Sequence, residues 1–70
     1  MYQWKKDVVA DVWSFTNPQQ KMVAQITLNN SVYSIVFIKD ANGNLNRPTD
    51  TFDTIGAAMK YVNTTLRTNL

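Results

Sequence analysis

Seventy residues with 44% hydrophobic side chains make one small globular domain and leave no room for a second. Seven Lys/Arg against five acidic residues give a net charge of +2, which permits a polyanionic partner without demanding one. Cysteine and histidine are absent, which removes disulfides, thiolate and imidazole metal ligands, a thiol nucleophile and a neutral-pH imidazole base.

A chain this short buries only about 60% of the surface its unfolded form exposes, so its core is thin and self-association would help it. No apolar run has the length of a membrane span or a signal-peptide core, so a soluble, cytoplasmic protein without membrane contact is expected.

The N-terminal stretch YQWKKDVVADVWSFTNPQQK admits two readings. As a helix, Trp4, Val8, Val12 and Phe15 form a stripe. As a strand, Val8 to Phe15 is β-branched and aromatic, and Asn17-Pro18-Gln19-Gln20 makes a type I turn into the next strand. The strand is preferred, because a lone hairpin plus a helix is a meagre sheet. Its register is open. With Thr16 opposite Lys21, Phe15 and Trp13 join the core, but Asp11 is drawn in opposite Ile26. With Val12 opposite Ile26, Asp11 faces water, while Trp13 and Phe15 emerge on the outer face as a platform for a protein partner or for bases.

Residues 22–38, MVAQITLNNSVYSIVFI, read as a hairpin turning at Asn29-Asn30, since asparagine tolerates the positive φ of a two-residue turn. Leu28 then faces Ser31, Ile26 faces Tyr33, Ala24 faces Ile35 and Met22 faces Phe37, an almost wholly apolar face. Gln25, Thr27 and Ser34 lie on the more polar opposite face. A one-residue slip of one strand would scramble this segregation.

After Ile38, Asn42-Gly43 predicts a turn and Pro48 a break. Asp50, Thr51 or Asp53 is the expected cap of a helix whose apolar stripe is Phe52, Ile55, Met59, Val62 and Leu66. Gly56 inside that helix predicts close approach to the sheet, because glycine there costs about 1 kcal/mol against alanine. The expected fold is α+β: a three-stranded antiparallel sheet, β-β-β-α in order, with one C-terminal helix packed on one face.

The residue types and their spacing speak against catalysis. On a strand, Asp7 and Asp11 stand about 13 Å apart, too far to work on one bond. On a helix they would be neighbours, but solvated. Residues 40–44, DANGN, resemble the start of a calcium loop, but the required glycine is misplaced and no bidentate glutamate follows. No metal, no cofactor and no enzymatic activity are expected.

The helix entry, with TFDT at 51–54, Ala57-Ala58 and then Tyr61-Val62, resembles that of the plant ethylene-response-type DNA-binding domain and of the arm-binding domains of phage and transposon integrases. The resemblance covers about a dozen residues and implies a three-strand-plus-helix fold with DNA on the sheet face away from the helix. Two binding functions follow as expectations. In the first, DNA lies on the outer face, with Lys5, Lys6, Lys21, Lys39 and Arg47 on phosphates and Gln25, Thr27 and Ser34 near bases. In the second, a phage-like protein-interaction or inhibitor module uses Trp13 and Phe15 or a sheet edge. The thin core and open edges also make a homodimer an expectation.

Overall fold

The computed structural model describes residues 1–67, whose elements run β1 (Gln3–Lys6), β2 (Val12–Thr16), β3 (Met22–Asn29), β4 (Val32–Lys39), β5 (Leu45–Asn46), β6 (Thr51–Phe52) and α1 (Ile55–Leu66). The fold is α+β, an antiparallel sheet with one C-terminal helix. Strands β1 to β4 form a meander. The far side of β4 is shared by β5 at its C-terminal end and β6 at its N-terminal end. Among the described residues the sheet therefore has six strands rather than the expected three. The three additional strands are a charged N-terminal strand and two two-residue ladders.

The hairpin turns at Asn30-Ser31, both with positive φ (53° and 66°), and not at Asn29-Asn30. Leu28 therefore faces Tyr33, and Ile26 faces Ile35. Moving the turn by one residue shifts each partner by two, so the same side chains keep the same face. The apolar assignment survives as far as Ile35. There β4 carries an extra residue, Val36, and Gln25 pairs with Phe37 while Ala24 pairs with Ile38. The bulge brings Ile38 into the core and turns Phe37 to the opposite face.

At the N-terminus, neither the helix nor a strand through Val8 forms. Asp7 Oδ1 accepts the Val9 amide at 2.9 Å, and the Asp7 amide donates to the Val12 carbonyl, which closes a loop over 7–11. This side-chain turn overrides the β propensity of Val8 and Val9. The type I turn at 17–20 forms as expected, closed by the Gln20 amide on the Asn17 carbonyl at 2.8 Å. In β2, Phe15 pairs with Ala24 and Trp13 with Ile26, so both face the core side. Asp11 escapes burial because β2 begins one residue after it.

Phe15, Ala24, Ile26, Ile35 and Ile38 of the sheet meet Ala58 and Val62 of α1 to form the fully buried core. Aromatic side chains of the N-terminal segment extend it, with Tyr2, just before β1, and Trp4 of β1 stacked on Phe15 at 5.3 and 4.5 Å between ring centroids. The helix cap is Thr54, whose Oγ1 accepts the Ala57 amide at 3.1 Å. Phe52 reaches the core from β6 rather than from a first helical turn, and its ring meets Tyr61 at 5.5 Å. Gly56 is exposed, and a Cβ built there would meet nothing within 4 Å, so close packing does not explain it.

Candidate nucleic-acid interface

Where the ladders are regular, residues next to a core residue on a strand point away from the helix, because successive side chains alternate. Two cross-strand rows result. Lys5, Ser14, Gln25 and Phe37 form one, and Val12, Thr27, Ser34 and Thr51 form the other. Ser14, Gln25, Thr27 and Ser34 occupy the centre of this outer face, half-buried among their neighbours. Among the described residues, none of these four side chains spends its hydroxyl or amide on an internal hydrogen bond.

Among the described residues, no strand carries a carboxylate. Four of the five aspartates gather at one end of the sheet: Asp7 and Asp11 in the β1–β2 loop, Asp50 and Asp53 on either side of β6. Asp40 alone lies at the other end, with Lys21, Lys39 and the helix C-cap Arg67. The molecule is therefore polar in charge along its strands, acidic at the hairpin-turn end and basic at the β2–β3 loop end.

The ten side chains expected to bind do not form one surface. Lys5, Gln25, Thr27 and Ser34 share the outer face. Lys21 and Lys39 mark its basic end, and Arg47 stands exposed just beyond β5 at the far edge. Lys6 projects to the helix side, where its ammonium lies 5.5 Å from the Trp13 ring centroid and 3.8 Å from Asp11 Oδ1. Trp13 is half-buried against Tyr33, edge-on at 5.6 Å. Phe15 is fully buried and offers a partner nothing. Of the two alternatives for Trp13 and Phe15, the core side is the one adopted, with Trp13 opposite Ile26 and Phe15 opposite Ala24, so they form no outer aromatic platform.

A different aromatic stands there. Phe37, beside the exposed Val36, is half-buried on the outer face opposite Gln25. Simple alternation hides it. The sequence signal is the unbroken run Ile35-Val36-Phe37-Ile38, whose buried members lie three apart, a spacing that a strand accommodates only with a bulge.

The basic end is shaped by the β4–β5 loop. Asp40 Oδ1 accepts the amides of Asn44 and Asn42, both at 2.9 Å, and these bonds hold its carboxyl below the usual aspartate range, Asn44 contributing most. Gly43, with φ 85°, closes the turn by donating its amide to the Asp40 carbonyl. Among the described residues no group of three acidic or other ligating side chains could hold a metal. No helix among them is long and apolar enough to cross a membrane.

Set beside protein-family models, curated proteins and solved structures, the chain matches none of them.

Proposed function

We propose that the protein is a non-enzymatic binding module that lays the outer face of its sheet against duplex DNA. The observation that carries this reading is the carboxylate-free outer face, with four hydroxyl and amide side chains unpaired at its centre and lysines at its side and end. A polyanion meets no negative charge on that face, whereas four of the five aspartates stand at one end of the sheet and Asp40 at the other. The implied mode of the resembling domains, DNA on the face away from the helix, is the same surface.

Width sets how the duplex would sit. Five strands about 4.8 Å apart span roughly 19 Å, wider than the major groove at about 12 Å. Only β2, β3 and β4 enter, which directs Gln25, Thr27 and Ser34 to base edges. Lys5 on β1 falls beside the groove wall, at the height of the phosphates, and Phe37 reaches the groove floor. No arginine stands on a strand, so the dominant guanine contact is missing, and affinity rests on phosphates more than on sequence.

Fluorescence anisotropy with a random duplex tests this. With Lys5, Lys21 and Lys39 each neutralising one phosphate, log K falls against log salt with a slope of about −2.7, and Lys5→Ala lowers that slope by about 0.9. No binding at low salt would rule the reading out.

A second reading, a phage-like protein-interaction or inhibitor module, draws support from the outer edge of β1, which pairs with no strand among the described residues. A protein that binds no duplex but gains a strand on β1 would establish it.

A further inference from the structure

The β1–β2 loop holds up two valines that nothing in the fold requires. Val8 is 96% exposed and Val9 91%. The loop beneath them is pinned. Asp7 accepts the Val9 amide, the Lys6 ammonium reaches the carbonyls of Asp7 and Ala10 at 3.4 and 3.5 Å, and Asp11 pairs with Lys6. A flexible loop loses entropy when it docks; this one is already ordered. The tip is an apolar knob above Asp7, Asp11 and the Lys6 ammonium, which together leave one net negative charge, and Asp50 and Asp53 lie at the same end of the sheet.

At the opposite end lies a cleft of about 300 Å³. Tyr2, Met22, Val23 and Leu66 supply apolar wall, and Lys21 and Lys39 stand on it. Neither lysine is ion-paired among the described residues. Asp40 also lines the cleft and keeps its charge, since the loop amides of Asn42 and Asn44 favour its carboxylate, so the two lysines outweigh it by one charge.

We propose that this cleft receives the Val8-Val9 tip of a second copy of the chain, head to tail. The valines meet the apolar wall of a cleft of mixed lining, and the net negative tip end of one copy meets the net positive cleft of the next. Tip and cleft sit at opposite ends of a molecule 32 Å long, so no copy fills its own cleft. The contact is heterologous, each copy using one surface and offering the other, so it propagates as a chain or closes as a ring. Its small area makes it weak and concentration-dependent.

Sedimentation velocity over a micromolar-to-millimolar series, without nucleic acid, tests it. Two variants are needed: Val8→Ser with Val9→Ser, which removes the knob, and Lys21→Glu with Lys39→Glu, which reverses the cleft. All four side chains are exposed, and circular dichroism confirms that the fold is retained. The expected result is a sedimentation coefficient that rises with concentration for the wild type and stays monomeric for each variant alone. An equimolar mixture of the two variants forms a 1:1 complex and stops there, because one still has a cleft and the other still has a tip. A wild type that stays monomeric throughout, a variant that assembles as well as wild type, or a mixture that fails to pair would overturn the proposal.

Discussion

The Lys6 ammonium stands over the Trp13 ring, 5.5 Å from its centroid, from the directly opposite position on the β1–β2 ladder. The same ring meets Tyr33 edge-on at 5.6 Å. Trp13 thus joins the edge hairpin to the central strands, and the lysine that covers it also ties down the 7–11 loop. Lys6→Met keeps the aliphatic stem and removes the charge. Urea unfolding should show a loss of about 0.5–1 kcal/mol, the scale of an exposed cation–π contact. Trp13→Ala removes a large packed ring and should cost about 3 kcal/mol. A Trp13→Ala protein as stable as the wild type would mean that the indole is not part of the core.

Phe15 has more to lose. Its ring is fully buried with Tyr2 and Trp4 stacked on it, and it faces Ala24, which leaves room for it. Truncation to alanine should cost about 3–5 kcal/mol. A domain of this size has in total roughly 4–10 kcal/mol, from typical per-residue stability. Phe15→Ala is therefore expected to be largely unfolded by circular dichroism at 37 °C, and Phe15→Leu folded with a lowered urea midpoint. A well-folded alanine variant would contradict the packing described.

The central hairpin was legible because its polar and apolar residues alternate, and parity tolerates the one-residue error in the turn. Asn30 and Ser31 compete with Asn29 and Asn30 for the same two positive-φ sites, and composition alone does not separate them. Phe37 was misread because one bulged residue, Val36, inverts every assignment beyond it. Strand β1 was hidden by its own chemistry: Lys5 and Lys6 guard a sheet edge, and charged edge strands lack a strong β signature. The two-residue strands β5 and β6 follow from where the 40–54 segment returns along β4, a tertiary fact with no local code. Within the candidate interface, Gln25, Thr27 and Ser34 were readable from the hairpin alone. Lys6 and Trp13 required the sheet.

Gly56 lies in the first turn of α1, exposed, with open space around the position a Cβ would take. Gly56→Ala should stabilise the domain by about 0.5–1 kcal/mol, by reducing unfolded-state freedom and raising helix propensity. Thr54→Ala should do the opposite, with a loss of about 1 kcal/mol, since the Ala57 amide loses its acceptor. Thermal unfolding of the two variants and their combination should show near cancellation. A destabilised Gly56→Ala would point to a contact that the free surface of α1 does not show.

Asp40 supplies a pH-dependent contribution whose sign follows from its hydrogen bonds. The amides of Asn44 and Asn42 favour the carboxylate, so its pKa in the folded protein lies below that of the unfolded chain. As pH falls, the unfolded state takes up the proton first. The loop's contribution to stability is therefore full above the ordinary aspartate range and is lost as pH drops through the lowered folded value. The carboxylate is fully exposed, so the effect is local. In an NMR titration the Asn42 and Asn44 amide resonances should hold constant until the solution is more acidic than a free aspartate needs, then shift together. Asp40→Ala should abolish that step and speed hydrogen exchange at Asn44, whose amide then has lost its acceptor. Amides that titrate at the ordinary aspartate value would mean the loop does not grip the carboxylate in solution.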